Sequence, residues 1–481
     1  MALAVAVALA AAAVPPVVHN RVGDSIAIDG ALTIKSIGKK QNYNWSDTVY
    51  RDQDVFSPKS VNFHPDGSRF YVNSLEGGKT VVYDAHTTAK LRVIEHRFDS
   101  GTGPLWATPS GYYNFTHYKD GASRAFMGKP VESAFSHGGR YLWVPYYRRT
   151  FDLNAQDPSA VAIIDTRADT IVRMMETGPL PKMIRCSNDG RTMAITHWGD
   201  NTVGLVDISG DDPTRWHHLP PVIVERQLQL NFSLSHEVNR DSNSGLLLRG
   251  TLWLPGDRYL LVSCMGGSGG IAVIDVPAHK YLGRLTGMSN ARHLIADGGN
   301  LYMSCNSAGL MCRVPLDSVN AAISRGGRTM PLRGITTCRV GGGARTIEAS
   351  PGGQFIFAAC NSASGLYVVD TRTMTCVGHI NIDSYPVGLD ISRDGSLLVV
   401  TSQARDHHGG NAVNLLRVTY AHPVAVEPLP ADTLAADTVA AKPAPGTTND
   451  AGGLSTDGIV YLAIFLVIAL LLLATLWMRR R

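Results

Sequence analysis

The stretch ARTIEASPGGQFIFAACNSASGLYVVD, residues 344–370, contains the pattern that decides the fold. Two apolar runs flank a Pro-Gly-Gly turn, and a third apolar run follows a small polar loop and ends in Asp370. Short β-branched runs separated by such turns predict antiparallel strands joined by hairpins. Arg345 does not fit this pattern, because it stands directly before a strand that should be buried.

The same order of parts recurs along the chain. The other units begin at Pro58, Pro130, Pro181, Arg249, Ala291 and Pro386, which makes seven units in all. A fourth apolar run often follows, and four short strands repeated at this spacing predict a seven-bladed β-propeller over residues 25–420. No helical run is long enough to join parallel strands. The seventh unit lacks a fourth strand, so we expect the strand-like segment 25–37 to complete it and close the ring.

Several blade sequences also carry a family likeness. The relevant stretches are PKMIRCSNDGRTMAITHW, ESAFSHGGRYLWV, ARHLIADGGNLYMS, ARTIEASPGG and YPVGLDIS. In these stretches the chain resembles the bacterial YVTN-repeat, or YncE-like, seven-bladed β-propellers, over residues 25–420. The resemblance implies the fold and a WD40-like arrangement of blades. It implies no particular activity, because propellers carry many unrelated functions and lactonases use similar rings.

Composition limits the classes of function. The chain has 481 residues, 17% of them charged, and its formal net charge of +4 is nearly balanced for this length. A nucleic-acid-binding domain is usually more basic, so nucleic acid is disfavoured as a partner and any basic surface must be local. The sequence has neither an H-E-x-x-H motif nor a P-loop, and we predict no cofactor and no metal site.

Both ends of the chain predict targeting or anchoring. Residues 1–18 are apolar and rich in Ala and Val, like a signal peptide without its basic start. Residues 458–478 carry no charge and predict a single transmembrane helix, followed by three arginines at 479–481 that should stay cytoplasmic. Residues 421–457 predict a flexible Ala/Pro/Thr tether. We therefore expect a single-pass protein of the cytoplasmic membrane, with its propeller in the periplasm or at the cell surface.

Stacking the units shows that the position of Arg345 is usually basic. The column reads Lys59, Val131, Lys182, Arg249, Arg292, Arg345 and Val387, with five cations in seven positions. The first strand of a propeller blade is innermost, so these residues should surround one mouth of the central channel. Two interpretations stay open: the cations bind an anion, or they pair with carbonyls and with acids such as Glu132, Glu348 and Asp390.

A second column ends the second strand of each unit. It reads Ser74, Tyr146, His197, Cys264, Cys305, Cys360 and Ser402. We expect these residues and the loops after them at the same mouth, where Tyr146, Tyr147, Arg149 and His197 would help to bind a ligand. Blade spacing of about 10 Å argues against disulfides or a zinc site among the three cysteines. A bridge between Cys312 and Cys338, within one unit, stays open.

Two long insertions, residues 99–129 and 217–247, should emerge on the same face. Connections of this length are usually functional or disordered, and the first insertion is rich in tyrosine. We predict that they form a lid or a partner-binding surface at the mouth.

Two functions follow from these features. The first is a tethered binding or scaffold module, which is not an enzyme and whose basic mouth holds an anionic small molecule, a cell-envelope component or a protein segment. The alternative is a lactonase-like hydrolase acting on an acidic substrate. There His197 or Glu348 would be the general base and the arginines would bind the substrate or its oxyanion.

Overall fold

The computed structural model describes residues 20–28, 30–42, 48–113, 125–150, 152, 155, 157–229, 239–403 and 410–422. Within them, strands fall into seven separate sheets, one for each predicted unit, and the all-β seven-bladed propeller is confirmed. The predicted signal peptide, transmembrane helix and basic tail, and all but the first two residues of the predicted tether, lie outside these residues. In the described part of the chain, no helix is long and apolar enough to span a membrane.

The strands are numbered in chain order. The chain begins with β1 (Ser25–Ile28) and β2 (Leu32–Gln41). Blade 1 consists of β3 (Pro58–Phe63), β4 (Arg69–Ser74), β5 (Lys79–Asp84) and β6 (Lys90–Glu95). Blade 2 consists of β7 (Arg97–Phe98), β8 (Phe126–Pro130), β9 (Ala134–Ser136), β10 (Tyr141–Arg149), β11 (Pro158–Asp165) and β12 (Thr170–Pro179). Blade 3 consists of β13 (Pro181–Cys186), β14 (Thr192–His197), β15 (Thr202–Asp207) and β16 (His217–Ile223).

Blade 4 consists of β17 (Leu248–Trp253), β18 (Tyr259–Cys264), β19 (Ile271–Asp275) and β20 (Lys280–Thr286). Next come β21 (Ala291–Asp297), β22 (Asn300–Cys305), β23 (Leu310–Pro315), helix α1 (Leu316–Arg325), β24 (Thr329–Pro331) and β25 (Thr336–Arg339). Strands β21, β22, β23 and β25 form blade 5. Blade 6 consists of β26 (Ala344–Ala349), β27 (Phe355–Cys360), β28 (Gly365–Asp370) and β29 (Thr375–Asn381). Blade 7 begins with β30 (Pro386–Ile391), β31 (Leu397–Ser402) and β32 (Ala412–Tyr420).

One part of blade 4 departs from the sequence-based expectation. Helix α1 buries Val319, Ala322 and Ile323 in the apolar cluster shared by blades 4 and 5. The chain then forms β24, which pairs parallel to β20 and adds a fifth strand to blade 4. The sequence analysis did not predict α1 or β24. The parallel pair arises because the chain passes through β21, β22, β23 and α1 before it returns to blade 4.

The N-terminal segment closes the ring, as predicted. Strand β2 pairs antiparallel with β32 over its whole length, from Leu32 opposite Tyr420 to Gln41 opposite Ala412, and β1 adds an outer strand. The first and last strands of the propeller thus lie in one sheet. The ring of blades is closed at this point.

Neighbouring blades are held together by apolar cores and by a repeated hydrogen bond. Apolar clusters fill the spaces between adjacent sheets all around the ring. Beside them, a polar side chain near the end of a second strand donates to a carbonyl oxygen of the next blade's innermost strand. The pairs are Asn73 to Glu132, Thr196 to Arg249, Ser263 to Arg292, Ser304 to Arg345 and Thr401 to Lys59. Four of these acceptors belong to the basic column, so the bonds fix its backbone at Lys59, Arg249, Arg292 and Arg345.

Each innermost strand carries one extra residue near its start. In blade 1, Pro58 faces Ser74 and Val61 faces Val72, so three steps on β3 match two steps on β4. The same shift occurs in the other blades. Such a β-bulge changes which face a following side chain occupies. Residues three apart across it, such as Lys59 and Asn62, can therefore both face the channel.

We predict that the closing strand is essential for stability. The Ile34 side chain is fully buried, and Ile34→Ala should lower the free energy of unfolding by about 2–4 kcal/mol. Lys35 is exposed on the same strand, so Lys35→Ala should change it by no more than about 0.5 kcal/mol. Urea denaturation followed by circular dichroism measures both values. Equal effects of the two variants would show that β2 does not bury its apolar face in the cluster between blades 6 and 7.

Candidate functional site

The structure brings the five basic residues of the first column together at one mouth of the channel, which we call the basic mouth (Lys59, Lys182, Arg249, Arg292 and Arg345). Burial lowers the pKa of Lys59 well below its usual value, and the charges of Arg345 and Arg249 lower it further. Burial also lowers the pKa of Arg345 to about 10, with a further contribution from Arg249. Cations on different blades are therefore close enough to repel one another.

Few carboxylates balance this charge. Among the described residues, the ion pairs of the basic mouth are Arg249 with Glu132 at 3.3 Å and Lys182 with Asp241 at 3.7 Å. Glu348 and Asp390, which the sequence offered as partners, form no ion pair with these cations within 4.0 Å in the described structure. Pairing with acids therefore accounts for only part of the basic column.

The remaining three cations have neutral partners. Lys59 Nζ lies 3.5 Å from the amide oxygen of Gln403. Arg292 Nη1 lies 3.3 Å from the sulfur of Met265. Arg345 is hydrogen-bonded to the Tyr385 side chain. None of these contacts supplies a negative charge.

Two guanidinium groups also keep a buried donor unused. The Nε atoms of Arg292 and Arg345 are buried and have no hydrogen-bond partner in the described structure. Arg345 as a whole is 5% exposed. Buried donors are normally satisfied, and leaving one unpaired costs free energy. The basic mouth thus has unused hydrogen-bonding capacity as well as excess charge.

An aromatic wall borders the basic mouth at Lys182. Its Nζ lies 3.8 Å from the centre of the Tyr147 ring and 4.9 Å from that of Trp198. The Tyr147 hydroxyl donates to Asp241, and Arg148 Nη2 lies 2.8 Å from the same carboxylate. Cation–π contacts of this kind hold an ammonium group in place. Of the aromatic residues predicted at the site, Tyr147 is the one that lies there.

The structure places the other three predicted binding residues elsewhere. Tyr146 is fully buried, and its hydroxyl lies 2.8 Å from His96 Nδ1 between blades 1 and 2. Arg149 is fully buried beside Asp157, at 3.2 Å. His197 accepts from the Gly178 N–H at 3.1 Å with Nε2, and its Nδ1 lies 2.8 Å from the Thr202 hydroxyl. These side chains are not brought together with the five cations.

The physical reason lies in the strand pairing. The second column faces the residue that precedes the basic column, for example His197 opposite Pro181 and Ser74 opposite Pro58. At this position side chains pack between the blades, and burial lowers the pKa of His197 to about 3. The sequence column gave the height of these residues along the channel but not the direction of their side chains.

The cysteines of the second column are likewise packed between blades. Cys264, Cys305 and Cys360 are buried, and all seven cysteines are free. Cys312 lies with its sulfur 3.5 Å from that of Cys305, and the structure has no bond between Cys312 and Cys338. Burial raises the pKa of Cys264 and Cys360 to about 12, as expected for small apolar thiols.

The two insertions contact this region in part. Residues 217–223 form β16 and residues 126–130 form β8, so both insertions are shorter than predicted. In the first insertion, Tyr113 is buried edge-on against the His197 ring, with the ring centres 5.5 Å apart. In the second, Asp241 reaches Lys182. Residues 114–124 and 230–238 lie outside the described residues, so the predicted lid is not tested as a whole.

Several residues at the site were not predicted to bind a ligand. They are Glu132, Trp198, Asp241, Tyr385, Gln403 and Met265. The sequence could have indicated two of them. Glu132 directly follows Val131 of the basic column, and Tyr385 directly precedes Pro386, where its unit begins. Asp241 lies in the insertion 217–247, which was predicted at the mouth, but it is outside the repeat, so nothing in the sequence singled out this residue.

Glu348 lies deeper in the channel than the basic mouth. It lines a cavity of about 330 Å³ with Asp390, Arg185 and His293. Burial raises the pKa of Glu348 to about 7, opposed by the charge of Arg185. It follows Arg345 by three residues, which match two steps of the neighbouring strand across the bulge, or about 7 Å.

Comparisons with known proteins support the fold alone. No family model matches the chain, and no match was found among curated proteins. Among solved structures, the chain is similar to Kuenenia stuttgartiensis hydrazine synthase, with a TM-score of 0.51 and 13% identity, covering 80% of this chain and 100% of that one. It is also similar to the β-propeller domain of Myceliophteria thermophila Cps50 (Swd1), with a TM-score of 0.51 and 14% identity, covering 76% and 97% of the two chains.

We predict that Glu348 makes stability depend on pH. Because its pKa in the folded protein is about 7, above the ordinary value of 4.5, its contribution is fully present below about 4.5 and is lost as the pH rises through about 7. Glu348→Gln stays neutral, so its melting temperature relative to the wild type should rise by roughly 1–3 °C across this range. Thermal unfolding at several pH values measures the difference.

The exposed residue Glu95 provides the control, because its side chain is 59% exposed. Glu95→Gln should show no such trend. A constant difference between Glu348→Gln and the wild type at all pH values would mean that Glu348 is not held protonated in the folded protein.

Proposed function

We propose that this β-propeller is a binding module whose basic mouth holds an anionic group, a carboxylate or a phosphate. The observation that supports this most directly is the balance of charge: five cations converge, and two carboxylates pair with them. Arginine forks suit both kinds of anion, and a narrow opening lined by one sign of charge concentrates ions of the other sign.

The geometry favours binding over hydrolysis. Both ring nitrogens of His197 are engaged by Gly178 and Thr202, so His197 is not available as a general base at the basic mouth. Glu348 lies about 7 Å along the strand from Arg345, because three residues across the bulge match two steps of the neighbouring strand, and it lines a cavity that includes none of the five cations. The lactonase-like alternative keeps one observation in its favour, which is the raised pKa of Glu348 in the cavity that it lines.

The proposal also includes the family and the location. The repeat makes this chain a candidate YVTN-repeat propeller, and residues 458–478 would tether it to the outer face of the cytoplasmic membrane. The partner would then be an anionic small molecule, a cell-envelope component or an acidic protein segment met outside the cytoplasm.

Anion binding is tested by removing one cation. Arg345→Ala should weaken the binding of carboxylates and phosphates by about 10- to 100-fold, because charge-assisted hydrogen bonds are lost. Isothermal titration calorimetry with a panel of dicarboxylates and sugar phosphates measures the change. Arg417→Ala, which removes an exposed arginine from β32, should leave every affinity unchanged.

A second variant should have the opposite effect on anion affinity. Glu132→Gln removes the carboxylate beside Arg249 and should strengthen anion binding, and the gain should shrink as salt is added. If no anion of the panel distinguishes Arg345→Ala from the wild type, the basic mouth is not an anion site and its cations have a structural role.

Membrane attachment is tested separately. The full chain should sediment with membranes and resist extraction by carbonate, because about twenty apolar residues suffice to span a bilayer. A chain that ends at residue 457 should be released into the soluble fraction. Release of both forms by carbonate would contradict the proposed anchor.

A further inference from the structure

The positive charge of the basic mouth is balanced by carboxylates on one side only. Among the described residues, its ion pairs involve Lys182 of blade 3 and Arg249 of blade 4. The other three cations are Lys59 of blade 1, Arg292 of blade 5 and Arg345 of blade 6, and none of them forms an ion pair with a carboxylate in the described structure. We call these three residues the uncompensated cluster.

The members of the uncompensated cluster lie close to one another. Burial lowers the pKa of Lys59 and of Arg292 well below their usual values, and among the charged neighbours Arg345 lowers each of them most. Blade 7, which stands between blades 6 and 1, contributes the buried, uncharged Val387 at this position. The three cations therefore act on one small volume of the mouth and not on separate parts of the ring.

Each member of the uncompensated cluster has hydrogen-bond donors that the described residues do not use. The Lys59 ammonium has three N–H donors, and its one contact there is to the amide oxygen of Gln403, at 3.5 Å. The Nε donors of Arg292 and Arg345 are buried and unpaired in this part of the chain. Unpaired buried donors cost free energy, so an acceptor that satisfied them would stabilise the folded protein.

The number of charges and donors favours a phosphoryl group over a carboxylate. A phosphoryl group carries about two negative charges at pH 7 and has three acceptor oxygens. A carboxylate carries one charge on two oxygens that lie in one plane, which suits a single guanidinium fork. The uncompensated cluster has two such forks and an ammonium group, on three different blades. Its donors therefore match the three oxygens of a tetrahedral phosphoryl group better than the two of a carboxylate.

We propose that the uncompensated cluster holds a phosphoryl dianion, as it occurs in inorganic phosphate and in phosphate monoesters. Arg292 and Arg345 would donate to its oxygens through their guanidinium groups, and Lys59 through its ammonium group. Two negative charges offset most of the three positive ones, whereas a monoanion leaves two of them uncompensated. This inference rests on the proposed function and selects one of the two kinds of anion named there.

Isothermal titration calorimetry of the wild type with four small anions tests the inference. Methyl phosphate and dimethyl phosphate share a tetrahedral phosphorus, but only the first carries a second charge and a third terminal oxygen. Acetate and malonate carry one and two charges on planar carboxylates. Methyl phosphate should bind about 10- to 100-fold more tightly than dimethyl phosphate or acetate, and about 10-fold more tightly than malonate, as expected for an added charge-assisted interaction.

The pH dependence gives a second readout. A phosphate monoester loses its second proton near pH 6, so the affinity for methyl phosphate should rise relative to that for dimethyl phosphate as the pH increases through about 6. The ratio of the two affinities cancels titration of the protein itself. Inorganic phosphate, measured beside methyl phosphate, distinguishes the two sources: tighter binding of the ester assigns a phosphate monoester, and tighter binding of the free ion assigns inorganic phosphate.

A variant of the uncompensated cluster supplements the comparison of ligands. Arg292→Gln should weaken methyl phosphate more than acetate, by about 10- to 100-fold against less than about 10-fold, because the lost cation attracts two charges in the first ligand and one in the second. Arg417→Ala, which removes an exposed arginine, should change neither affinity. Circular dichroism shows whether each variant is folded, and the comparison of ligands in the wild type needs no variant.

The outcomes separate this inference from the proposed function. If dimethyl phosphate or acetate binds the wild type as tightly as methyl phosphate does, the dianion is overturned and the anion site stands. Malonate binding as tightly as methyl phosphate would also overturn the phosphoryl group, since charge alone would then decide the affinity. If none of these anions binds, both proposals fail.

Discussion

The pairing of β2 with β32 is the constraint on which the rest of the structure depends. It joins the two ends of the propeller in one sheet, and it thereby fixes the number of blades around the channel at seven. With the ring closed, the innermost strands cannot move apart, and every repeated sequence position becomes a ring of side chains. The convergence of five cations follows from this closure and not from any local motif.

Closure of the ring also explains how the five cations can lie close together in the folded protein. The carbonyl oxygens of Lys59, Arg249, Arg292 and Arg345 accept hydrogen bonds from the preceding blade, so the backbone at the basic mouth is held in place. Apolar clusters between the blades supply the stabilising burial. The repulsion among the cations therefore destabilises the fold by much less than the burial of the apolar clusters stabilises it. A bound anion would relieve this repulsion without any change of fold.

Repetition made much of the fold predictable from the sequence. The seven units, their strand order and the closing strand follow from the pattern of apolar runs and turns, and so does the basic column. Helix α1 and β24 could not be predicted from the repeat, because they occur once and have no counterpart in the other units. Asp241 and Trp198 were missed as site residues for a similar reason: their positions depend on loop conformation. His197 and Arg149 were placed at the mouth because their strand ends there, yet their side chains turn away.

The β-bulge accounts for the direction of side chains that the sequence columns could not give. In a regular strand, residues three apart point to opposite faces, so Arg345 and Glu348 would not share the channel. One extra residue between Ala344 and Ile347 reverses the alternation and aims both inward. The same bulge leaves His197 and its counterparts opposite residues that pack between blades. A single backbone irregularity, repeated in every blade, therefore creates a channel with cations at its mouth and carboxyl groups below.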